Sequence, residues 1–123
     1  MHSVAKIYTR RSERRLGKRL RLLELPNVQQ LIGNNFLGDV LELGSGSGFY
    51  SRHFNDQGCN SLICVDISAR MLEKIDIENC VKVVGDIQHF RSEKQFDLIF
   101  CAGVMEFLEH PETIFRNAAW MLK

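Results

Sequence analysis

Val40-Leu41-Glu42-Leu43-Gly44-Ser45-Gly46-Ser47-Gly48 is the stretch that decides the fold. Its first four residues read as a short, mostly apolar strand. Three glycines at alternate positions follow, and a helical pattern then runs to about Gln57. A strand that turns through glycines into a helix opens a strand–helix–strand crossover. Glycine has no Cβ, so the backbone turns tightly there and can approach a ligand closely. The helix behind it presents free N–H groups and the positive end of its dipole to a bound group. A dinucleotide fingerprint requires G-x-G-x-x-G, but Phe49 stands where the third glycine belongs, which argues against a pyrophosphate.

The same texture continues on the C-terminal side. Ser61 to Asp66 reads as a second strand, Ala69 to Ile75 as a helix, and Val81 to Val84 as a third strand. Phe96 to Cys101 is a fourth, and a helix runs from about Pro111 to the end. Strands alternating with helices imply right-handed crossovers and a parallel sheet. The unbroken apolar runs SLICV and FDLIF suit strands covered on both faces. The expected fold is therefore α/β, a doubly wound, Rossmann-like parallel sheet. Ligands of such sheets bind beyond the carboxyl ends of the strands, where the strand order reverses. On the N-terminal side, Leu16, Leu20 and Leu23 recur at helical spacing between Ser12 and Leu25, and Val28 to Ile32 reads as a further short helix. This divides the chain into a basic helical arm, residues 1–35, and a sheet domain, residues 36–123.

A chain of 123 residues is one domain, and 45% hydrophobic with 25% charged residues excludes disordered and collagen-like classes. No run approaches the roughly 18 apolar residues of a membrane span, and no apolar segment of a secretory signal follows the N-terminus, so the expected location is cytoplasmic. The net charge of +1 conceals a split. Residues 1–21 carry eight basic groups against Glu13 alone, while the other residues hold eight basic and fourteen acidic groups. Such an arm either lies as a solvated helix against its own acidic body or contacts a nucleic acid or a membrane surface. Cys59, Cys64, Cys80 and Cys101 form no C-x-x-C, and Cys64 and Cys101 fall inside apolar strands, so buried thiols are expected rather than disulfides or zinc ligands.

One acid stands at the end of each of the first three strands. Glu42, just before the glycine loop, would repel a diphosphate and can pair with a cationic amino group; its plainer alternative is bracing the loop. Asp66 can accept both hydroxyls of a ribose, as an acid at this position does in α/β nucleotide sites. Alternatively it caps the helix that begins near Ser68. Ile67 beside it offers an apolar face to a purine. Asp86 can accept the exocyclic amine of adenine while the N–H of Ile87 meets a ring nitrogen, or it is an ordinary turn residue. Together these residues describe a ligand with a cationic amine, a ribose diol and an adenine, and with no phosphate.

This constellation resembles the class I S-adenosylmethionine-dependent methyltransferases. The segments that carry the resemblance are VLELGSGSG (Val40–Gly48), VDIS (Val65–Ser68), GDI (Gly85–Ile87) and FDLIFCAGVMEFLEHPE (Phe96–Glu112), within residues 39–123. The resemblance implies S-adenosyl-L-methionine as cofactor. Glu42, Gly44, Gly46 and Gly48 would surround its methionine moiety, Asp66 would hold the ribose, and Asp86 and Ile87 the adenine, with Ser45 and Ile67 as further cofactor-binding candidates. Cys101 and Ala102 would lie near the reactive methyl. It further implies strand order 3-2-1-4 and methyl transfer to a small molecule, in the O-methyltransferase branch that Met105 to Pro111 most resembles.

His110 is the candidate general base, against the plainer role of opening the last helix. Glu106, Glu109 and His110 also match the E-x-x-E-H metal motif of Hen-type RNA 2′-O-methyltransferases, but no histidine follows His110, so no metal is expected. Tyr8 on the arm is a candidate to close over the cofactor. The family's sheet has three more strands, which this sequence lacks. The fourth strand would then be an open apolar edge that invites pairing with a second copy or a partner chain. Two further readings are thus a non-catalytic S-adenosylmethionine-binding remnant or subunit, and an RNA methyltransferase that uses the basic arm.

Overall fold

The computed structural model describes residues 6–10, 26, 30, 38–102 and 108–123. Among the described residues five strands form one parallel sheet: β1 (Lys6–Arg10), β2 (Asp39–Leu43), β3 (Ser61–Asp66), β4 (Cys80–Val84) and β5 (Leu98–Ala102). Helices α1 (Phe49–Asp56), α2 (Ala69–Glu73) and α3 (Pro111–Met121) accompany them among the described residues. The spatial order is β1-β5-β2-β3-β4. The four strands expected from the sequence therefore lie in the expected order 3-2-1-4, and the fold is the doubly wound, Rossmann-like sheet.

Strand bounds follow from the residues. β3 covers the apolar run Ser61–Asp66 as read. β2 begins one residue earlier, at Asp39, because Asp39 O accepts the Asp97 N–H at 2.9 Å and Asp39 N–H donates to Asp97 Oδ2 at 2.8 Å. β5 starts at Leu98 rather than Phe96: the Phe96 N–H is taken by Met121 O at 2.7 Å and Phe96 O by the Lys123 N–H at 3.0 Å. The backbones of β2 and β5 touch at that point. A Cβ on Gly38 would lie 2.6–2.9 Å from the Asp97 side chain, so this approach requires glycine.

Alternation along the strands divides the core. Val40, Leu62, Cys64, Leu98 and Phe100 face α1 and α2, where Tyr50, Phe54 and Leu72 meet them. Leu41, Leu43, Val65, Ile99 and Cys101 face the other way, under Ile114, Ala118 and Met121 of α3. Burial on both faces explains why these strands read as continuous apolar runs. Sheet order reverses between β2 and β5, since β2, β3 and β4 succeed one another on one side and β5 lies on the other.

One expectation is corrected. The edge of β5 is not open: β1 pairs with it in parallel, Lys6 opposite Leu98 through Arg10 opposite Ala102. The physical reason lies in Ile7, Tyr8 and Thr9, β-branched and aromatic residues suited to a pleated strand, with a charge at each end that suits an edge. Residues 6–10 thus belong to the sheet rather than to a helical arm, and the backbone of Tyr8 is held opposite Phe100. An open fourth-strand edge for a second copy therefore has no basis here. The helices expected over Ser12–Leu25 and Val28–Ile32 lie outside the described residues, apart from Gln30. Among the described residues no helix is long and apolar enough to cross a membrane.

Candidate functional site

The glycine loop joins β2 to α1 with all three of its glycines at positive φ: 78° at Gly44, 56° at Gly46 and 92° at Gly48. Residues with a Cβ resist this region. At Gly48 there is also no room, because a Cβ would lie 2.8 Å from Cγ1 of the buried Ile75. Gly48→Ala is expected to destabilise the fold by about 2 kcal/mol, combining left-handed backbone strain with overpacking; a urea titration reads this, and an unchanged midpoint would contradict it.

The loop is held from β3. Val65 O accepts the N–H groups of Gly44 and Ser45 at 2.7 and 3.2 Å. Asp66, at the end of β3, accepts the Gly46 N–H on Oδ2 at 2.8 Å and the Ser68 N–H on Oδ1 at 2.9 Å. The capping of α2 itself is done by Ser68, whose hydroxyl accepts the Met71 N–H at 3.2 Å. Asp66 is therefore a strut between two loops, and each of its oxygens keeps a further lone pair.

Gly44, Asp66, Ile67, Asp86, Ile87, Gln88 and Leu108 line one cavity of about 310 Å³ at the carboxyl ends of the strands. Two carboxylates face it, and among the described residues no Lys or Arg lines it. Ile67 is 76% exposed, an open apolar surface, whereas Ile87 is buried and turns into the α3-side core. Asp86 Oδ1 accepts the Gln88 N–H at 2.9 Å, which sets the turn after β4. The structure thus brings together Gly44, Asp66, Ile67, Asp86 and Ile87.

Other expected site residues lie elsewhere. Ser45 is buried and its hydroxyl donates to Glu42 O at 3.1 Å, closing the loop on itself. Gly46 and Gly48 shape the loop without lining the cavity. Cys101 is buried in β5 and also lies outside the lining; burial, then the nearby Glu42, pushes its thiol up to about 12. His110 is exposed and directly precedes α3; its Nδ1 is 3.3 Å from Glu112 Oε1, and its N–H donates to Gln88 Oε1 at 3.2 Å. It opens the helix and touches the cavity only through Gln88. Met105, Glu106 and Phe107 lie outside the described residues.

Glu42 has the most unusual surroundings. It is 2% exposed and faces α1, one layer beneath the glycine loop and outside the cavity lining. Its Oε1 accepts the hydroxyl proton of Ser51, and the Cys64 thiol in turn donates to Ser51 Oγ at 3.5 Å. Burial raises its pKa to about 8; the neighbouring Cys64 and Asp66 push the same way, against the Ser51 hydrogen bond. A buried carboxyl near neutrality marks a site candidate.

Sequence reading missed Ser51 and Gln88. Ser51 carries a weak signal, a polar residue on the inward face of α1, three positions after Gly48. Gln88 carries none, because its place follows from α3: the Asn117 side-chain amide donates to Gln88 O at 2.9 Å and pins the turn.

The Methyltransferase domain family matches this chain over residues 41–123, about two thirds of its length. The malonyl-[acyl-carrier protein] O-methyltransferase 2 of Ilyobacter polytropus is 29% identical over 91 residues, 69% of this chain and 35% of that protein. The malonyl-[acyl-carrier protein] O-methyltransferase of Haemophilus influenzae is 29% identical over 104 residues, 80% of this chain and 39% of that protein. The chain thus spans about a third of the length of these curated relatives. Among solved structures, the N-methyltransferase NodS of Bradyrhizobium japonicum, in complex with S-adenosyl-L-homocysteine, superposes with a TM-score of 0.73 at 24% identity, covering 89% of this chain and 61% of that one. The glycine loop, the strut at Asp66 and the cavity all fall in or beside the matched residues, and the chain belongs to the Methyltransferase domain family.

Proposed function

We propose that this chain is the cofactor-binding part of an S-adenosyl-L-methionine-dependent methyltransferase that acts on a small-molecule acceptor. The observation that carries the reading is a cavity at the switch point of the sheet, lined among the described residues by two carboxylates and no Lys or Arg. A phosphorylated nucleotide would be repelled there. A nucleoside with a cationic substituent and no phosphate is favoured.

The residues fit such a cofactor. Asp66 retains lone pairs for the two ribose hydroxyls, Ile67 offers an apolar face to the adenine, and Asp86 with Ile87 stands where its edge would be read. The glycine loop supplies close backbone approach. Glu42, neutral when the site is empty of charge, releases its proton as a cationic amino group comes near, because an opposite charge favours the ionised carboxylate. The cofactor brings an electrophilic methyl on sulfur. The protein's part is to position the acceptor in line and exclude water. An acceptor that is already anionic, such as a carboxylate, needs no base, which agrees with His110 standing at a helix start rather than in the cavity. The malonyl-[acyl-carrier protein] relatives support such an acceptor, here a malonyl thioester.

Isothermal titration with S-adenosyl-L-homocysteine is expected to give a dissociation constant within about 1 μM–1 mM, and NAD is expected to give none. Repeating it at pH 7 in buffers of different ionisation heat should reveal proton release on binding, the signature of Glu42. Absence of S-adenosyl-L-homocysteine binding, or equal binding of NAD, would overturn the reading.

A further inference from the structure

Three of the four thiols lie on the α1 side of the sheet, outside the cavity. Cys64 is buried within β3, and Cys59 and Cys80 are half-buried and packed against the same core. Cys80 opens β4, opposite Leu62, so Cys64 and Cys80 sit diagonally on one face of neighbouring strands. Their Sγ atoms are 3.1 Å apart. Two sulfur atoms this close need approach only about 1 Å further to reach the bond length of a disulfide. Among the described residues no group of three metal-ligating side chains occurs, so a metal does not account for the pairing.

We propose that Cys64 and Cys80 form a reversible disulfide, a redox-sensitive modification site that ties β3 to β4. The strands permit it. β4 is the edge of the sheet and pairs only with β3 among the described residues, so it can shift slightly without breaking another ladder. The two thiols also differ in the way exchange requires. The contact with Cys64, then the charge of Lys82, hold the Cys80 thiol below its ordinary range, against the burial that raises it. The same contact, then burial, raises Cys64. Cys80 is the more accessible of the pair and is therefore the attacking sulfur.

The oxidant is a low-molecular-weight disulfide such as oxidised glutathione. The Cys80 thiolate attacks one of its sulfurs, forming a mixed disulfide and releasing one glutathione thiolate. Cys64 gives its proton to that thiolate and attacks the Cys80 sulfur, expelling the second glutathione, which takes up the proton Cys80 gave up. Two protein thiols are oxidised to one disulfide and one glutathione disulfide is reduced to two thiols. Closure takes the Cys64 proton away from Ser51, which holds Glu42. Weaker cofactor binding is therefore expected in the oxidised form, a consequence that rests on the proposed cofactor reading, whereas the disulfide itself does not.

The test is peptide mapping by mass spectrometry after exposing the folded chain to oxidised glutathione. Trypsin cuts at Arg70 and Lys74, so a Cys64–Cys80 bond links two peptides, but Cys59 and Cys64 share one. The Cys59→Ser variant resolves this. The linked pair is expected in both wild type and Cys59→Ser, reversed by dithiothreitol and absent in Cys80→Ser. S-adenosyl-L-homocysteine affinity is expected to fall about fivefold or more on oxidation and to stay unchanged in oxidant-treated Cys80→Ser. A link that disappears in Cys59→Ser, a glutathione adduct that never closes, or thiols that remain free would overturn the proposal. Equal affinity of both forms would overturn its link to Glu42, and no affinity in either form would count against the cofactor reading alone.

Discussion

Glu42→Gln is expected to stabilise the protein by roughly 2–4 kcal/mol at pH 8 and to change it little at pH 5. The direction follows from proton counting. In the unfolded chain Glu42 ionises near 4.5, and in the folded chain burial holds it protonated up to about 8. Between these values the folded state keeps a proton that the unfolded state has released, so stability falls as pH rises across that window and levels off above it. Glutamine has the same shape and still accepts the Ser51 hydroxyl, but it cannot ionise. At pH 5 the two side chains are near-equivalent neutral groups; at pH 8 only glutamate opposes folding. Urea denaturation of both proteins at the two pH values reads the difference, with all other titrations cancelling. A stability gain that is the same at pH 5 and pH 8 would show that Glu42 is not held neutral. The same variant should weaken S-adenosyl-L-homocysteine binding, because a neutral amide cannot answer a cationic amine. A stabilised but binding-deficient protein is the pattern of a strained functional group rather than of a packing residue.

The second large effect is expected at Asp66. Its two oxygens accept the N–H groups of Gly46 and Ser68, so the carboxylate sets the position of the glycine loop over the cavity. Asparagine keeps one acceptor and turns an NH₂ group toward the other N–H. Asp66→Asn is therefore expected to lose about 1.5–3 kcal/mol of stability, the cost of one charge-assisted hydrogen bond and one unsatisfied donor. Its effect on the cofactor should be larger. Two hydroxyl hydrogen bonds to a carboxylate, at about 1.5 kcal/mol each, correspond to roughly a hundredfold in affinity. Calorimetric titration of the variant with S-adenosyl-L-homocysteine, at a urea-verified folded concentration, separates the two losses. Wild-type affinity in a destabilised Asp66→Asn would leave the strut intact as a structural idea and remove the ribose assignment.

Both predictions concern residues that stand out in the sequence, and the structure places the two differently: Asp66 lines the cavity and Glu42 lies beneath the glycine loop. Asp66 at the end of an apolar strand, 22 positions after Gly44, was readable as a rim residue because strand ends and sheet rims coincide in parallel folds. Glu42 was readable as special, but not as a side chain beneath the loop. Period-two alternation puts Val40 and Glu42 on one face and Leu41 and Leu43 on the other. It does not say which face meets α1. The N-terminal strand was unreadable for a different reason. Lys6–Arg10 is short and charged at both ends, and its partner, Leu98–Ala102, lies some ninety positions away. No local pattern encodes such a pairing.

By itself the amino-acid order determined the strands and helices that follow Gly38, their parallel arrangement, the glycine loop and the acids at the rim. These follow from hydrophobic periodicity and turn chemistry, which act between near neighbours. Tertiary structure alone decided that β1 covers β5, that Ser51 shares a proton chain with Cys64 and Glu42, and that Cys80 meets Cys64. Each of these is a contact between segments far apart in the chain, set by sheet register and by which helix covers which face, and such contacts exist only once the core has closed.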